Sequence, residues 1–308
     1  MSGRRLMNWF LTESGKKVCY YGALTATACV ISANFLPHTV FVDQYKDVVQ
    51  LYRNGLAVPI SKKIQERFDK TLDLLEIDPV DRHLYKPFHC YGFDVMSAGS
   101  SYSRFGVIVG IPSNFTYDNV DMVDKSNIKV NQESVVWDSE DGQKLLSSLI
   151  LSENAQMYAM AKEIKFRQTP KPILDVFFAA SSCISIYSLN NYINVKFNLY
   201  AKPAGVRYTM YCLVGLFVLG LYAMSKDMTQ LYYEQTIDGE LKKAHQIFAE
   251  GGREYYTNII RRNQSLRRML GKEGESLYSV MGNENSFIRT KHIPVVQRKS
   301  FFEDVLKS

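Results

Sequence analysis

Tyr208–Met224 reads YTMYCLVGLFVLGLYAM, an uncharged run of 17 residues, and the fold turns on how it is read. As a helix it lies at the short end of the roughly 17–25 residues that cross a hydrocarbon core of about 30 Å. Just before it, 196–207 carries Lys196, Lys202 and Arg207 with no acid, around Pro203-Ala204-Gly205. That is the composition of a hairpin turn. Beyond the turn, 173–195 is a second apolar stretch, with Asp175 at its edge and Asn190, Asn191 and Asn194 near its end. The pair predicts a transmembrane hairpin over 173–224. The competing reading makes 173–195 a buried soluble helix, with its asparagines in a protein interior.

A third stretch, Val18 to Leu36, is uncharged for 19 residues. It exceeds the ~7–15 apolar residues of a secretory signal, so an uncleaved anchor at 18–36 is expected. Residues 1–17 form a basic tail (Arg4, Arg5, Lys16 and Lys17 against Glu13) with the composition of a mitochondrial import signal.

Around these segments, 46% hydrophobic and 22% charged residues in 308 exclude wholesale disorder. A mean hydropathy of −0.17 excludes a polytopic transporter. The net charge of +6 invites a nucleic-acid reading until it is located. Region 37–172 carries 16 basic against 18 acidic groups, and 225–308 carries 14 against 11. Basic excess therefore concentrates beside the apolar stretches, a pattern of membrane topology. If all three stretches span, 37–172 and 225–308 share one side and fold together, opposite the basic tail and basic turn.

In the soluble parts, 60–77 reads as an amphipathic helix carrying Ile64, Phe68, Leu72 and Leu75, stopped by Asp78-Pro79. Strand-like runs follow at 88–95, 105–111 and 128–137, punctuated as turns by Gly99, Gly110-Ile111-Pro112 and 138–142. A single helix is expected over 143–167, with Leu145, Leu149, Ser152, Gln156 and Met160 on one stripe. After the hairpin, a charged helix over 226–250 is expected to break at Gly251-Gly252. A basic helix over 253–270 then carries Arg261, Arg262, Arg267 and Arg268. These arginines read as a solvated face helped by lipid head groups more than as an RNA site, because aromatics are not interleaved as stacking requires. The fold class is thus an α+β membrane protein, mainly helical, with a small antiparallel sheet and about three transmembrane helices.

Chemistry-bearing motifs are sparse. Cys19, Cys29, Cys183 and Cys212 lie in apolar stretches, and Cys90 alone lies in a soluble region. There is no CxxC, no zinc-spaced Cys/His cluster, no phosphate-cradling glycine loop and no GxSxG. No cofactor, metal site or small-molecule substrate is expected, and no nucleic acid. One constellation resembles the membrane-bound peptidase family with an HExxH helix. Ser152-Glu153-Asn154-Ala155-Gln156 stands where that helix would be, followed by a membrane hairpin and then Glu234-Gln235-Thr236-Ile237-Asp238 as an ExxxD. Both zinc histidines are replaced, by Ser152 and Gln156, and a serine, a neutral glutamine and one carboxylate hold zinc poorly. The resemblance implies a degenerate peptidase scaffold, not a peptidase.

A closer resemblance covers roughly 80–298. It is carried by Tyr85-Lys86-Pro87-Phe88, Ser97-Ala98-Gly99, Val109-Gly110-Ile111-Pro112 and Val136-Trp137-Asp138-Ser139. Beyond the hairpin it continues in Gly251-Gly252, Leu270-Gly271-Lys272 and Lys291-His292-Ile293-Pro294. Their order and spacing resemble the transmembrane protein 177 family. The resemblance implies a non-enzymatic, multi-pass protein of the mitochondrial inner membrane, a scaffold or assembly factor in cytochrome c oxidase (complex IV) biogenesis. It also implies partners: subunit II of the oxidase and that subunit's inner-membrane assembly chaperone, beside the lipid bilayer. The charge pattern would then place the soluble module in the intermembrane space. Two rivals remain. One is an active zinc peptidase. The other is a secretory-pathway membrane protein, which would carry glycan at the sequons of Asn114 or Asn263.

Overall fold

The structure, a computed structural model, describes residues 9–126, 128–286 and 288–303; Arg4 and Arg5 of the basic tail lie outside the described residues. In chain order the helices are α1 (Glu13–Phe35), α2 (Val42–Val49), α3 (Lys62–Leu74), α4 (Glu140–Ser148), α5 (Glu153–Arg167), α6 (Lys171–Lys196), α7 (Ala204–Ala244), α8 (Gln246–Met269), α9 (Lys272–Leu277) and α10 (Val295–Glu303). The strands are β1 (Tyr52–Arg53), β2 (Leu56–Ala57), β3 (Tyr85–Cys90), β4 (Met96–Gly99), β5 (Val107–Pro112), β6 (Lys129–Val130) and β7 (Glu133–Ser134). The fold is α+β and mainly helical. The chain divides into two compact units, 1–38 with 170–229, and 39–169 with 230–308.

Among the described residues three helices are long and apolar enough to cross a membrane, with mean hydropathies of 1.3, 1.5 and 1.6: α1 and α6, in the first unit, and α7, which begins there and runs on into the second. Thr12 caps α1 by accepting from the Gly15 amide, and α1 packs on α6, where Tyr20 meets Tyr187 edge-on at 6.0 Å. Asp175, the charge at the edge of the second stretch, is neutralised one helical turn away by Lys171 at 2.7 Å. Asn194 exchanges hydrogen bonds with the Tyr211 hydroxyl, at 2.7 and 2.9 Å, tying α6 to α7. Leu213, Leu216, Phe217 and Leu219 stay exposed, an apolar surface suited to lipid. The turn uses Asn198 in the left-handed region (φ 46°), which asparagine tolerates better than most residues. At ~1.5 Å per residue the 41 residues of α7 run about 60 Å, twice the thickness of a hydrocarbon core.

The second unit is built around α5. Ala155, Met157, Tyr158, Ala159, Met160, Ala161 and Ile164 are each 0% exposed, so this helix is enclosed rather than amphipathic. It packs against α3, α8, β4 and β5. The main sheet has the order β3-β5-β4, with β4 antiparallel to β5 and β3 parallel to β5. The antiparallel pairing matches expectation. The parallel pair is an addition, since pairing direction leaves no mark on strands this short. Two-stranded antiparallel hairpins, β1-β2 and β6-β7, complete the strands.

Four sequence expectations are corrected. The helix expected over 143–167 is two, α4 and α5, separated by Leu149–Ser152. Ser152 adopts an extended conformation and caps α5 by accepting from the Ala155 amide. Gly110-Ile111-Pro112 is not a turn but the end of the central strand. A Cβ at Gly110 would stand 2.7–3.0 Å from Met96, Cys90 and Phe88, so glycine is there for lack of room. Asp138–Gly142 is likewise no free turn, for Ser139 caps α4 and Gly142 belongs to its first turn. Finally, the helix break lies at His245, whose extended backbone separates α7 from α8, while α8 runs unbroken through Gly251-Gly252. That pair serves close approach: a Cβ on Gly251 would lie 2.2 Å from the Asn154 carbonyl oxygen, and one on Gly252 2.7 Å from the Phe302 ring.

Candidate functional site

Glu234 and Asp238 lie four residues apart on α7 and so on one face of it. Both are buried, at 6% and 2% exposure. Arg298 of α10 answers them. Its Nε and Nη2 reach the two Asp238 oxygens at 2.7 and 2.8 Å, and its Nη1 lies 3.4 Å from Glu234 Oε2. A bidentate guanidinium matches the fork of a carboxylate and is the geometry in which a buried charge pair is tolerated. The Tyr158 hydroxyl donates to Asp238 Oδ1 at 2.6 Å, and the Tyr256 hydroxyl lies 2.9 Å from that of Tyr158. Burial first, then the Asp238 charge, pushes both phenols above their ordinary range, so they act as donors. Arg298 also stacks over the Tyr256 ring, 4.7 Å from its centroid.

The second carboxylate holds the segment that leads into α10. His292 Nδ1 pairs with Glu234 Oε1 at 2.6 Å, the Ile293 amide donates to Oε2 at 3.0 Å, and Gln230 donates to Oε1 at 2.8 Å. That hydrogen bond to Glu234 raises His292 above its ordinary value, against the opposing effect of burial. The ExxxD pair and the KHIP motif, 53 residues apart from Asp238 to Lys291 in the sequence, are thus one clasp that pins the C-terminal helix onto α7.

Beside the clasp opens a cavity of about 1110 Å³, walled by α5, α7, α8 and residues 284–286 and 288–295. Its polar lining is mixed in sign. Lys162 pairs with Glu163 at 3.5 Å and lies over the Tyr255 ring, while Arg262 pairs with Asp94 at 2.7 Å. Glu163 accepts from Ser97 at 2.6 Å, and Arg167 donates to the same hydroxyl at 2.7 Å. Such a surface suits a polar polypeptide segment, with charges of both signs held at fixed positions.

The other peptidase-like positions do not join this group. Ser152 is the α5 cap, and its hydroxyl and amide both donate to Glu254. Glu153 faces Lys70 at 2.9 Å and is largely exposed. Gln156 is 1% exposed, accepts from Arg67 at 2.7 Å and donates to the carbonyls of Phe115 and Leu151. Among the described residues no three His, Cys, Asp or Glu side chains converge as metal ligands.

The remaining motif positions are dispersed. Tyr85, Lys86, Pro87 and Phe88 form β3 and pair directly with β5, so Phe88 faces Gly110, with Ile111 and Pro112 continuing the register. Gly251 and Gly252 sit in the α8 contact. Gly271 and Lys272 start α9, with Gly271 at φ 56°. Lys291, His292 and Pro294 line the cavity. Sequence reasoning missed Tyr158, Tyr256 and Arg298; a buried tyrosine looks like any core residue, and nothing local marks one arginine among fourteen C-terminal basic groups. Both sequon asparagines are buried, Asn114 at 2% and Asn263 at 1%. Their amides donate to the carbonyls of Leu149 and Gly282, which leaves no space for a glycan in this fold.

Comparison with known proteins agrees with the motif order. The family model described as Transmembrane protein 177 matches residues 34–307. A Xenopus laevis protein named Transmembrane protein 177 is 29% identical over 299 residues, covering 93% of this chain and 94% of its own. Proteins of that name from Homo sapiens and Rattus norvegicus are 29% and 30% identical over 254 residues, 81% of this chain and 80% of theirs. No solved structure matches. With nearly the whole chain matched and three membrane-length helices in place, this protein belongs to the transmembrane protein 177 family of membrane proteins.

Proposed function

We propose that this protein is a non-enzymatic scaffold of the mitochondrial inner membrane that supports biogenesis of cytochrome c oxidase subunit II. It does so by binding and stabilising that subunit's assembly chaperone, with its soluble unit in the intermembrane space. The observation that carries the reading is what the peptidase-like residues do instead of chemistry. Asp238 and Glu234 clasp α10, Ser152 caps a helix, and Gln156 cements α5 to α3. The mixed-charge cavity beside the clasp is the candidate docking groove. The basic N-terminal tail and basic hairpin turn favour the proposed orientation.

The test is affinity purification of the tagged chain from mitochondria, with protease protection of a C-terminal tag. Recovery of the chaperone and newly made subunit II is expected, together with a fall in chaperone level when the protein is removed. Chelator-sensitive cleavage of a peptide bond by the purified chain would overturn the scaffold reading. A mobility shift on deglycosylation would overturn the location.

A further inference from the structure

The arginines of α8 do not all face solvent alone. Lys144 and Ser147 of α4, with Arg261, Gln264, Ser265 and Arg268 of α8, enclose a separate cavity of about 370 Å³. Three cations line it and no carboxylate does. Glu140 and Asp141, at the start of α4, pair with Lys144 and Arg268 (2.8 Å for the latter) and hold those side chains in place without entering the lining. Arg261 also borders a neighbouring cavity containing Glu250 and Glu254, whose carboxylates accept from Gln246 and Asn154 and from Ser152 respectively. The Gln264 amide is occupied by the Val280 carbonyl at 3.2 Å.

The second observation is Ser265. It is 1% exposed, and its hydroxyl has no hydrogen-bond partner. A helical serine ordinarily returns its hydroxyl to the carbonyl one turn back, and a buried donor left unmade is costly. An oxyanion accepting from this hydroxyl would satisfy it while meeting the charge of Arg261, the lining cation that neither Glu140 nor Asp141 pairs.

We propose that the pocket between α4 and α8 is an anion site for a phosphate group, bound by Arg261, Lys144 and Arg268 and by the Ser265 hydroxyl. Glu140 and Asp141 already offset two of the three cations, so the match lies in donor geometry and not in charge count: a phosphate offers three or more acceptor oxygens, enough to reach three cationic side chains and a buried donor together. A carboxylate, with two oxygens, would leave part of the site unpaired. The phosphate can belong to a lipid headgroup or to the free ion, and the two sources are separable.

The experiment is thermal unfolding of the purified full chain in neutral detergent, titrated with inorganic phosphate, with dioctanoyl phosphatidic acid, or with acetate at matched ionic strength. A saturable rise in melting temperature with phosphate is expected, and none with acetate. Arg261→Gln weakens the apparent affinity about tenfold, the worth of one charge-assisted hydrogen bond. Ser265→Ala leaves the unliganded melting temperature equal or higher, because it deletes an unsatisfied hydroxyl, yet reduces the phosphate response; a serine needed only for packing would do the reverse. Arg104→Gln, an exposed position elsewhere, responds like wild type. Tighter binding of phosphatidic acid than of phosphate identifies a headgroup site, and equal binding identifies the free ion. Absence of a saturable response to either, an equal response to acetate, or wild-type affinity in both R261Q and S265A overturns the proposal.

Discussion

Arg298→Met isolates what the clasp contributes. Methionine keeps the side-chain volume and deletes the charge. Asp238 then loses both guanidinium bonds and keeps only the Tyr158 and Tyr256 hydroxyls, while Glu234 keeps His292, Gln230 and the Ile293 amide. Removing one partner of a buried ion pair costs about 3–5 kcal/mol, because the stranded charge remains desolvated. The surviving donors place the loss near the lower bound, about 3 kcal/mol. For a unit of this size that is a fall in melting temperature of roughly 6–12 °C. The assay is thermal unfolding of the full chain in detergent at pH 7.5, comparing R298M, D238N and the double variant. Because D238N removes the stranded charge, the double variant should be more stable than the sum of the single losses allows, a coupling of at least ~1 kcal/mol. A loss below ~1 kcal/mol, or strict additivity, refutes the clasp as a structural element.

Further outcomes are expected elsewhere. Because the Glu234 bond raises His292, its contribution is fully present below the ordinary histidine value of about 6.5. It is lost as pH rises through the higher folded value. Stability of the wild type should therefore decline more across pH 6–9 than that of His292→Asn, as read from melting temperature at each pH. Gly251→Ala forces α8 off the Asn154 carbonyl and should cost about 1–3 kcal/mol, whereas Gly215→Ala and Gly220→Ala, whose added Cβ meets nothing within 4 Å, should leave unfolding of the second unit unchanged. Gly110→Val should cost a similar 1–3 kcal/mol and lower steady-state abundance, by overfilling the gap between Phe88 and Met96. Glu153→Gln breaks an exposed pair with Lys70 and a longer one, at 4.0 Å, with the mostly buried Arg67, so about 1 kcal/mol or less is lost and, on the proposed function, oxidase assembly should persist. Loss of assembly at normal abundance would point to a catalytic glutamate.

Much of this molecule is legible one segment at a time. The apolar runs at 18–36, 173–195 and 208–224 all lie in membrane-length helices, because hydropathy over twenty residues is a local property that packing does not alter. The helix at 60–77 is α3, for its apolar period is equally local. Errors came where two codes overlap. Gly-Gly in a helical pattern reads as a break, yet here it is the flattest point of α8, where Asn154 and Phe302 press against the backbone. Gly110 before Ile-Pro reads as a turn, yet it lies in the central strand. Ser152 falls on an apolar stripe by periodicity, yet it ends one segment and begins the next by capping.

The sequence by itself determined the membrane segments, the helical character, the family and the residues Glu234, Asp238 and His292 as noteworthy. Each of these follows from composition, period or ordered motif. Only the tertiary structure decided what those residues do. A carboxylate in a sequence can hold a metal, move a proton or bind an arginine, and the choice depends on which cation folding brings to it. Here that cation is Arg298, sixty residues from Asp238 in the chain and 2.7 Å away in space.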